Sequence, residues 1–228
     1  EFRRVLFRSV GPSIDLDDLD EILKLALVEK PNRVVITGDL IDKLAWLPQV
    51  CERLTTFAKQ IPDGVDFILG NHEYHHDVNK VLDELKHNTP MNILVNSNIQ
   101  IMGGKQPVYI AGVAYDNDRE KEKREAMIDK ALSGIPDYAF VILLAHHPEF
   151  FEEAIERKIP LTLSGHTHGG QIVFMGMPLV PTGTPYTKGR YVEEQSVCYV
   201  NNGSGHWFPI RINCPREITV ITFFDGVA

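Results

Sequence analysis

Apolar positions in the first part of the chain alternate between helical spacing and short continuous runs. They recur at intervals of three and four over residues 16–27, which predicts an amphipathic helix that begins after Asp15 and ends near Pro31. The run RVVIT (33–37) is β-branched and bounded by Pro and Gly, as expected of a buried strand. Helical spacing returns over residues 43–60.

The same alternation continues downstream and then gives way to β-like segments. Further strands are predicted at 65–69, at 138–145, at 160–164 and, as a hairpin, within 98–113. Further helices are predicted at 77–87, 119–132 and 149–158. Residues 171–224 contain several β-like runs (QIVF, SVCYV, EITVITFF) between Gly- and Pro-rich loops. The order favours an α/β sandwich of packed sheets.

The first nine residues, EFRRVLFRS, differ in character from the acidic, helix-like stretch that follows. They carry three Arg and resemble no targeting signal. We expect residues 1–9 to be foreign to the fold and residues 10–228 to form a single domain. The alternative is a native basic strand, RRVLF.

The composition is that of an ordinary globular protein. With 228 residues, 43% hydrophobic and 24% charged, the chain fits one sizeable globular domain. The sequence contains no run of about 18 apolar residues, which is the length that would predict a membrane span. The net charge of −8 argues against nucleic acid as the main partner. Cys51, Cys198 and Cys214 are widely spaced, which favours structural thiols over a disulfide framework.

Polar residues that packing does not explain follow four of the predicted strands. They lie in GDLID (38–42), GNHE (70–73), AHHP (145–148) and GHTHGGQ (165–171). Loops at the carboxyl ends of strands in open α/β sheets meet at one rim. Asp, Asn and His side chains suit Zn, Mn or Fe better than an all-oxygen calcium site. The four loops therefore predict a divalent-metal site.

The stretch GNHEYHH (70–76) fits two different enzymes. From His72 it spells H-E-x-x-H, in which His72 and His76 would bind zinc and Glu73 would act as the base of a peptidase. That frame needs both His on one helix, whereas residue 72 follows a strand and is expected in a loop. The G-N-H-E frame is favoured, with Asn71 and His72 as the functional residues.

In this order the four motifs resemble those of the calcineurin-like metallophosphoesterases. GHTHGGQ, together with residues 189–223, is similar to the bacterial branch that includes UDP-2,3-diacylglucosamine hydrolases. The resemblance covers residues 10–226. It implies a four-layer α/β/β/α sandwich of two mixed β-sheets flanked by helices.

The resemblance also implies roles for individual residues. Metal ligands are implied at five positions: Asp39, which bridges two ions; Asn71, His146 and His166 in one site; and His168 in the other. His72 would lie beside the phosphate as general acid or transition-state stabiliser. His147 has no ligand role in the family pattern and is expected to be a neighbour.

The implied function is hydrolysis of a phosphomonoester, phosphodiester or pyrophosphate with two divalent ions, Mn, Fe or Zn. A hydroxide bridging the ions would attack in line. The expected partner is a small phosphorylated substrate, for example a nucleotide-sugar lipid. Location stays open between bacterial cytoplasm and a membrane reached through a segment before residue 10.

One departure from the family pattern concerns the second metal site. The family supplies two ligands from a D-x-H motif on its first strand, and the matching positions hold Phe7 and Ser9. The chain is therefore expected to keep one complete site and to be impaired. The alternative is a non-catalytic, single-metal-binding relic or interaction module on the same fold.

The roles expected of the remaining His residues and of two Arg residues are less specific. His75, His76 and His87 are expected at the surface or the substrate rim. A structural loop is favoured for His206 over a place in the substrate pocket. Arg211 and Arg216 would either meet an anionic substrate or cap the last strands.

Overall fold

A computed structural model of the chain describes the backbone of residues 2–7 and, in full, residues 15–101, 106–114, 120–205 and 210–224. Its strands are β1 (Phe2–Phe7), β2 (Arg33–Ile36), β3 (Val65–Ile68), β4 (Asn92–Leu94), β5 (Ser97–Ile101), β6 (Val108–Gly112), β7 (Phe140–Ala145), β8 (Leu161–Ser164), β9 (Val173–Phe174), β10 (Met177–Pro178), β11 (Gly189–Glu193), β12 (Ser196–Val200) and β13 (Thr219–Phe223). The α-helices are α1 (Leu16–Val28), α2 (Leu47–Ala58), α3 (Asn71–Tyr74), α4 (Val78–Asn88), α5 (Lys121–Leu132) and α6 (Phe150–Glu156).

The first helix begins where the sequence predicts. The Asp15 side chain accepts hydrogen bonds from the Asp17 and Asp18 N–H groups, both at 3.0 Å. The Asp18 carboxylate in turn faces the Asp15 N–H, which completes a capping box. Residues Leu19, Ile22, Leu23 and Ala26 are buried, so the predicted apolar stripe is the face that packs.

The strands form two large mixed sheets and one small hairpin. The first sheet has the order β13-β1-β2-β3-β4, with β1 to β4 parallel and β13 antiparallel to β1. The second has the order β11-β12-β8-β7-β6-β5, parallel from β12 to β6 and antiparallel at both edges. Strands β9 and β10 form the hairpin.

Three apolar clusters show how the layers stack. One joins α1 and α2 to Val34 and Ile36 of the first sheet, and another joins α5 and α6 to Val141 and Leu143 of the second. The third lies between the sheets, where Val35 and neighbouring residues meet the second sheet. Adjacent residues of one strand thus face different layers. The structure is the four-layer α/β/β/α sandwich, as the sequence resemblance implies.

Gly112 allows the two sheets to approach each other closely. A Cβ atom at this position would lie 2.4 Å from the Leu94 Cβ and 2.7 Å from the Ile68 Cγ2. Both neighbours belong to the first sheet, whereas Gly112 ends β6 in the second. The closeness of the sheets at this point therefore depends on a residue without a side chain.

Residues 2–7 lie within the first sheet, between β2 and β13. The register pairs Phe7 with Ile36 in parallel and Phe2 with Phe223 antiparallel. This placement follows the native-strand alternative, while the origin of residues 1–9 stays a prediction. Ser9 lies outside the described residues.

A short helix lies where the sequence predicts a loop. Asn71–Tyr74 form one helical turn, so the expectation of a loop at residue 72 is wrong. The turn ends before His76, so the two His of the H-E-x-x-H pattern still do not share a helix. Among the described residues, no helix combines the length and apolar character needed to cross a bilayer.

Candidate metal centre

The four sequence motifs meet at the carboxyl ends of β2, β3, β7 and β8. Asp39 and Asn71 follow β2 and β3 of the first sheet, and His146 and His166 follow β7 and β8 of the second. Since β2 and β3 are parallel neighbours, as are β7 and β8, each pair ends at the same edge of its sheet. The site therefore lies where the carboxyl edges of the two sheets come together.

Four side-chain atoms from these loops form a cluster in which each lies within 3.2 Å of at least one other. His146 Nε2 is 3.0 Å from Asn71 Oδ1 and 3.2 Å from Asp39 Oδ2. His166 Nδ1 is 3.0 Å from the same Asn71 oxygen and 3.2 Å from His146 Nε2. Asp39 and His146 are each 1% exposed, so water supplies little of their solvation.

The protonation of His146 indicates what this cluster is suited to bind. His146 Nδ1 lies 2.6 Å from the Thr37 carbonyl oxygen, and only an N–H can donate to that acceptor. In the neutral ring, Nε2 therefore presents its lone pair to the other three atoms. A carboxylate oxygen, an amide oxygen and an imidazole lone pair that meet at one point suit a cation. The residues present fit a divalent metal.

Two glycines allow the loops to approach this closely. A Cβ at Gly70 would lie 2.3 Å from Asp39 Oδ1 and 2.7 Å from His146 Cε1. A Cβ at Gly38 would lie 2.6 Å from the Gly70 nitrogen, and Gly38 also has φ +91°, a conformation that glycine adopts easily. Space thus requires glycine before Asp39 and before Asn71, and at Gly38 the positive φ requires it as well.

The backbone carries strain at two of the four positions. Asp39 has φ 56° and His166 has φ 68°, both in the left-handed region that residues with a Cβ seldom occupy. Such strain persists only where surrounding contacts maintain it, and it concentrates at functional sites. The two strained residues both contribute an atom to the cluster.

Glu73 supplies contacts that maintain the strained loop. Its Oε2 accepts from the N–H groups of Gly70 at 2.7 Å and Asp39 at 2.9 Å. Its Oε1 accepts from Leu40 at 2.6 Å and Ile41 at 2.8 Å. The side chain is fully buried. Sequence reasoning gives Glu73 no role outside the peptidase frame, and no local signal points to these partners.

The electrostatics of Glu73 tie it to the cluster. Burial and the neighbouring Asp39 carboxylate raise the pKa of Glu73 to about 7, while the N–H donors act in the opposite direction. With two N–H groups on each oxygen, the arrangement is that of a carboxylate acceptor. Two acidic groups side by side repel each other, and a cation held by Asp39 would offset that repulsion.

His72 is oriented by Asp42, a residue to which sequence reasoning assigns no role. Its Nδ1 makes a short contact with Asp42 Oδ1, and its backbone N–H donates to Asp39 Oδ1 at 3.0 Å. Its Nε2 lies 4.0 Å from Asp39 Oδ2. The ring therefore stands beside the four-atom cluster, with one nitrogen fixed by a carboxylate.

A cavity of about 410 Å³ opens over the cluster. Asn71, His72 and His166 line it, together with His168, Val180 and Pro181. His75 also lines it, in agreement with the expectation of a rim position. The cavity thus gives a substrate access to the residues that the motifs single out.

His168 lies on the cavity wall and is 8% exposed. Its Nδ1 is 3.4 Å from Arg211 Nη2. The Arg211 guanidinium also donates to the carbonyl groups of Asn202 at 2.9 Å and Cys214 at 3.2 Å. Arg211 thus connects the loops beneath His168, and the proposed ligand role of His168 stays a prediction.

His147, which is expected to be a neighbour of the site, makes direct contact with a member of the cluster. Its ring stacks on His166 with centroids 3.7 Å apart, and its Nδ1 lies 3.5 Å from Glu149 Oε2. His146, His147 and His166 each have a nitrogen within 4.8 Å of the others, a grouping able to hold an ion. That His147 is a neighbour and not a ligand stays a prediction.

The other candidates have other partners. Arg216 donates to Asp18 Oδ1 at 3.1 Å. His76 Nε2 lies 3.0 Å from the Asp42 carbonyl oxygen, and His87 is exposed and contacts the Asp83 carbonyl oxygen. His206 lies outside the described residues.

Comparison with known proteins identifies the family. Residues 13–170 match the family model for calcineurin-like phosphoesterases. The chain belongs to the calcineurin-like phosphoesterases. The family assignment confirms the resemblance that the four motifs carry, and a dependence on divalent metals is general in this family. It does not extend to the branch of UDP-2,3-diacylglucosamine hydrolases.

Several calcineurin-like phosphoesterases align over most of the chain. An uncharacterized metallophosphoesterase from Campylobacter jejuni is 34% identical over 220 residues, which cover 93% of this chain and 56% of the relative. A transmembrane protein with metallophosphoesterase domain from Danio rerio is 31% identical over 225 residues, covering 93% and 50%. The chain thus spans about half the length of these relatives.

Solved structures share the fold, and an archaeal phosphodiesterase is an example. An archaeal phosphodiesterase superposes with a TM-score of 0.51 at 12% sequence identity, covering 96% of this chain and 99% of the other. At that identity the likeness concerns the architecture of the sandwich alone.

Proposed function

We propose that the protein is a divalent-metal-dependent phosphoester hydrolase whose reaction takes place in the cavity over Asp39, Asn71, His146 and His166. The observation that carries the proposal is the meeting of a carboxylate oxygen, an amide oxygen and two imidazole nitrogens at the ends of four strands, with Nδ1 of His146 donating to the Thr37 carbonyl. Family membership supports the same chemistry.

The proposed metal ligands are Asp39, Asn71, His146 and His166 in one site, with Asp39 and His168 contributing to a second. A bound divalent ion would polarise the phosphoryl group and lower the pKa of water. The Asp39 carboxylate supplies the negative charge of the first site. Asn71 adds an oxygen without adding charge, which preserves the attraction of the site for a phosphate.

His72 is the proposed catalytic residue. Asp42 accepts at Nδ1, which orients the ring. The second nitrogen, Nε2, is then the one that holds a proton for transfer to the leaving oxygen. Because Asp39 Oδ1 accepts from the His72 N–H, the general acid and the metal ligand are positioned together.

The substrate proposal is a small phosphorylated molecule. A cavity of about 410 Å³ suits a ligand of moderate size, and Val180 and Pro181 give part of its wall an apolar character. A nucleotide-sugar lipid, suggested by the GHTHGGQ motif, is one such substrate. Association of the whole protein with a membrane is a further proposal, supported by the name of the Danio rerio relative.

A second candidate is a non-catalytic, single-metal protein on the same fold. The β1 register pairs Phe7 with Ile36, which places Phe7 at the same sheet edge as the end of β2 that leads to Asp39. Position 7 is therefore at the metal edge of the sheet but holds Phe, which cannot bind a metal. Under this candidate the first site binds an ion and no phosphoester is hydrolysed.

Hydrolysis of bis-p-nitrophenyl phosphate and p-nitrophenyl phosphate with added Mn²⁺ distinguishes the two candidates. We expect metal-dependent release of p-nitrophenol that the Asp39→Ala variant lacks. Metal binding without hydrolysis of either compound would favour the non-catalytic protein. Hydrolysis that Asp39→Ala retains would exclude the proposed site.

A further inference from the structure

The hairpin beside the cavity presents an uncovered apolar face. Strands β9 and β10 pair Phe174 with Met177, and the Leu179 N–H donates to the Ile172 carbonyl at 2.8 Å, which extends the pairing by two residues. Val173 is buried at 3% exposure and points towards the domain. The opposite side of the hairpin is therefore the outer one.

The chain near residue 212 adds a third strand-like segment to the hairpin. Ile172 forms a parallel bridge with Ile212, and the Val173 N–H donates to the Ile212 carbonyl at 2.9 Å. Directly paired residues share a face of a sheet, as do residues two apart in one strand. The side opposite Val173 is thus shared by Phe174, Met177, Leu179 and Ile212.

The side chains on this side are among the most exposed apolar groups in the described part of the chain. Phe174 is 61% exposed, Met177 66%, Leu179 63% and Ile212 48%. Met175 at the turn is 84% exposed, and Ile210 is 53% exposed. We call these six residues the hairpin face. Several exposed apolar side chains gathered on one small sheet form a candidate interaction surface.

The charge around the hairpin face differs from that of the whole chain. Residues 159–187 contain no Asp, Glu, Lys or Arg, although the chain is 24% charged and has a net charge of −8. The first charged residues after this stretch are basic, Lys188 and Arg190. The Thr187 carbonyl accepts a hydrogen bond from Thr167 on the cavity wall, so Lys188 directly follows a residue that contacts that wall.

We propose that the hairpin face docks on the surface of a lipid bilayer. An exposed turn that carries Met175, flanked by exposed apolar side chains, can enter the acyl boundary. Lys188 and Arg190, the first charged residues after the uncharged stretch, would complement anionic headgroups. A protein partner would be expected to meet polar groups that fix its register, and residues 171–181 offer one polar side chain, Gln171, which is buried.

Docking in this orientation brings the cavity to the lipid–water interface. Gln171 and Val180, at the two ends of the hairpin, line the cavity over the metal cluster. The consequence for catalysis rests on the proposed function: a phosphoester at the bilayer surface would reach the site without crossing bulk water. The docking itself does not depend on hydrolysis.

Vesicle flotation of the full chain tests the proposal. We compare the wild type with the double variant Phe174→Ser/Met177→Ser, using vesicles of phosphatidylcholine with and without phosphatidylglycerol. The matched control is Leu25→Ser/Val28→Ser, which removes two equally exposed apolar side chains from α1. We expect binding that phosphatidylglycerol strengthens, a partition coefficient at least about tenfold lower for the hairpin variant, and no change for the control.

Equal partition of wild type and hairpin variant would overturn the proposal. So would an absence of vesicle binding together with a concentration-dependent dimer, seen by sedimentation, that the hairpin variant abolishes. Hydrolysis of bis-p-nitrophenyl phosphate in the same samples separates the two proposals. Docking without hydrolysis contradicts the proposed function alone, and hydrolysis without docking contradicts the hairpin proposal alone.

Discussion

The Glu73 carboxylate is bound to the backbone of Asp39, the residue at the centre of the proposed metal site. Glu73 Oε2 accepts from the Asp39 N–H at 2.9 Å and from the Gly70 N–H at 2.7 Å, so one oxygen bridges the loops after β2 and β3. Asp39, whose N–H makes one of these contacts, has a left-handed backbone conformation. Glu73 is fully buried and supports the proposed metal site through backbone geometry.

Replacing Glu73 with Gln tests this positioning role. The amide keeps the shape but turns one acceptor into a donor, so two buried N–H groups lose their partner. We expect the free energy of unfolding to fall by about 2–4 kcal/mol and metal affinity to fall with it. Urea unfolding and metal titration provide the measurements, with Glu52→Gln at an exposed position of α2 as control. A variant as stable as the control would contradict the role.

Replacing Asp42 with Asn tests the orientation of His72. The asparagine side chain would retain an oxygen but could equally present its NH2 group to Nδ1, so the ring loses a defined orientation. We expect kcat to fall by about 10- to 100-fold while metal content stays unchanged. Asp83→Asn, exposed on α4, is the control. Loss of bound metal in Asp42→Asn would assign Asp42 to the metal site instead.

Two glycine substitutions separate the site from the sandwich. Gly70→Ala would place a methyl group 2.3 Å from Asp39 Oδ1, and Gly112→Ala would place one 2.4 Å from the Leu94 Cβ. We expect both to lower stability by about 1–3 kcal/mol through overpacking. Only Gly70→Ala should abolish metal binding. Equal metal affinity in the two variants would show that the close approach at Gly70 is not needed.

Buried thiols should make the native protein unreactive towards thiol reagents. Burial raises the pKa of Cys198 to about 12 and that of Cys51 to about 11, so little thiolate forms at pH 8. Ellman's reagent should react slowly with the native chain and with all three cysteines after unfolding. Because the folded pKa of Cys198 exceeds its ordinary value of 9.0, stability should also fall as pH rises from 9 towards 12. Rapid native labelling would contradict this packing.

Much of the fold follows from local patterns in the sequence. The apolar stripe after Asp15 and the β-branched run at 33–37 identify α1 and β2 because their periods differ and their ends carry caps or breakers. The strand-end motifs indicate a shared edge because parallel strands bring their carboxyl ends together. The pairing of β1 with β13 escapes such reasoning, since it joins residues more than two hundred positions apart.

The candidate site is less readable from sequence where it depends on contacts between loops. Asp39, Asn71, His146 and His166 stand out because polar residues after buried strands have no packing explanation. Glu73 and Asp42 do not stand out, because their partners are backbone N–H groups and a ring on other loops. The helical turn at Asn71–Tyr74 escapes prediction for a related reason: four residues are too few for a period.

Metal content measured by elemental analysis tests the central claim most directly. The chain, loaded with Mn²⁺ or Zn²⁺ and freed of excess ion, should retain at least one ion per molecule. Asp39→Ala and His166→Ala should retain none, whereas His87→Ala, at an exposed position, should match the wild type. A folded wild-type chain that retains no ion, or an Asp39→Ala variant that retains as much as the wild type, would contradict the proposed metal centre.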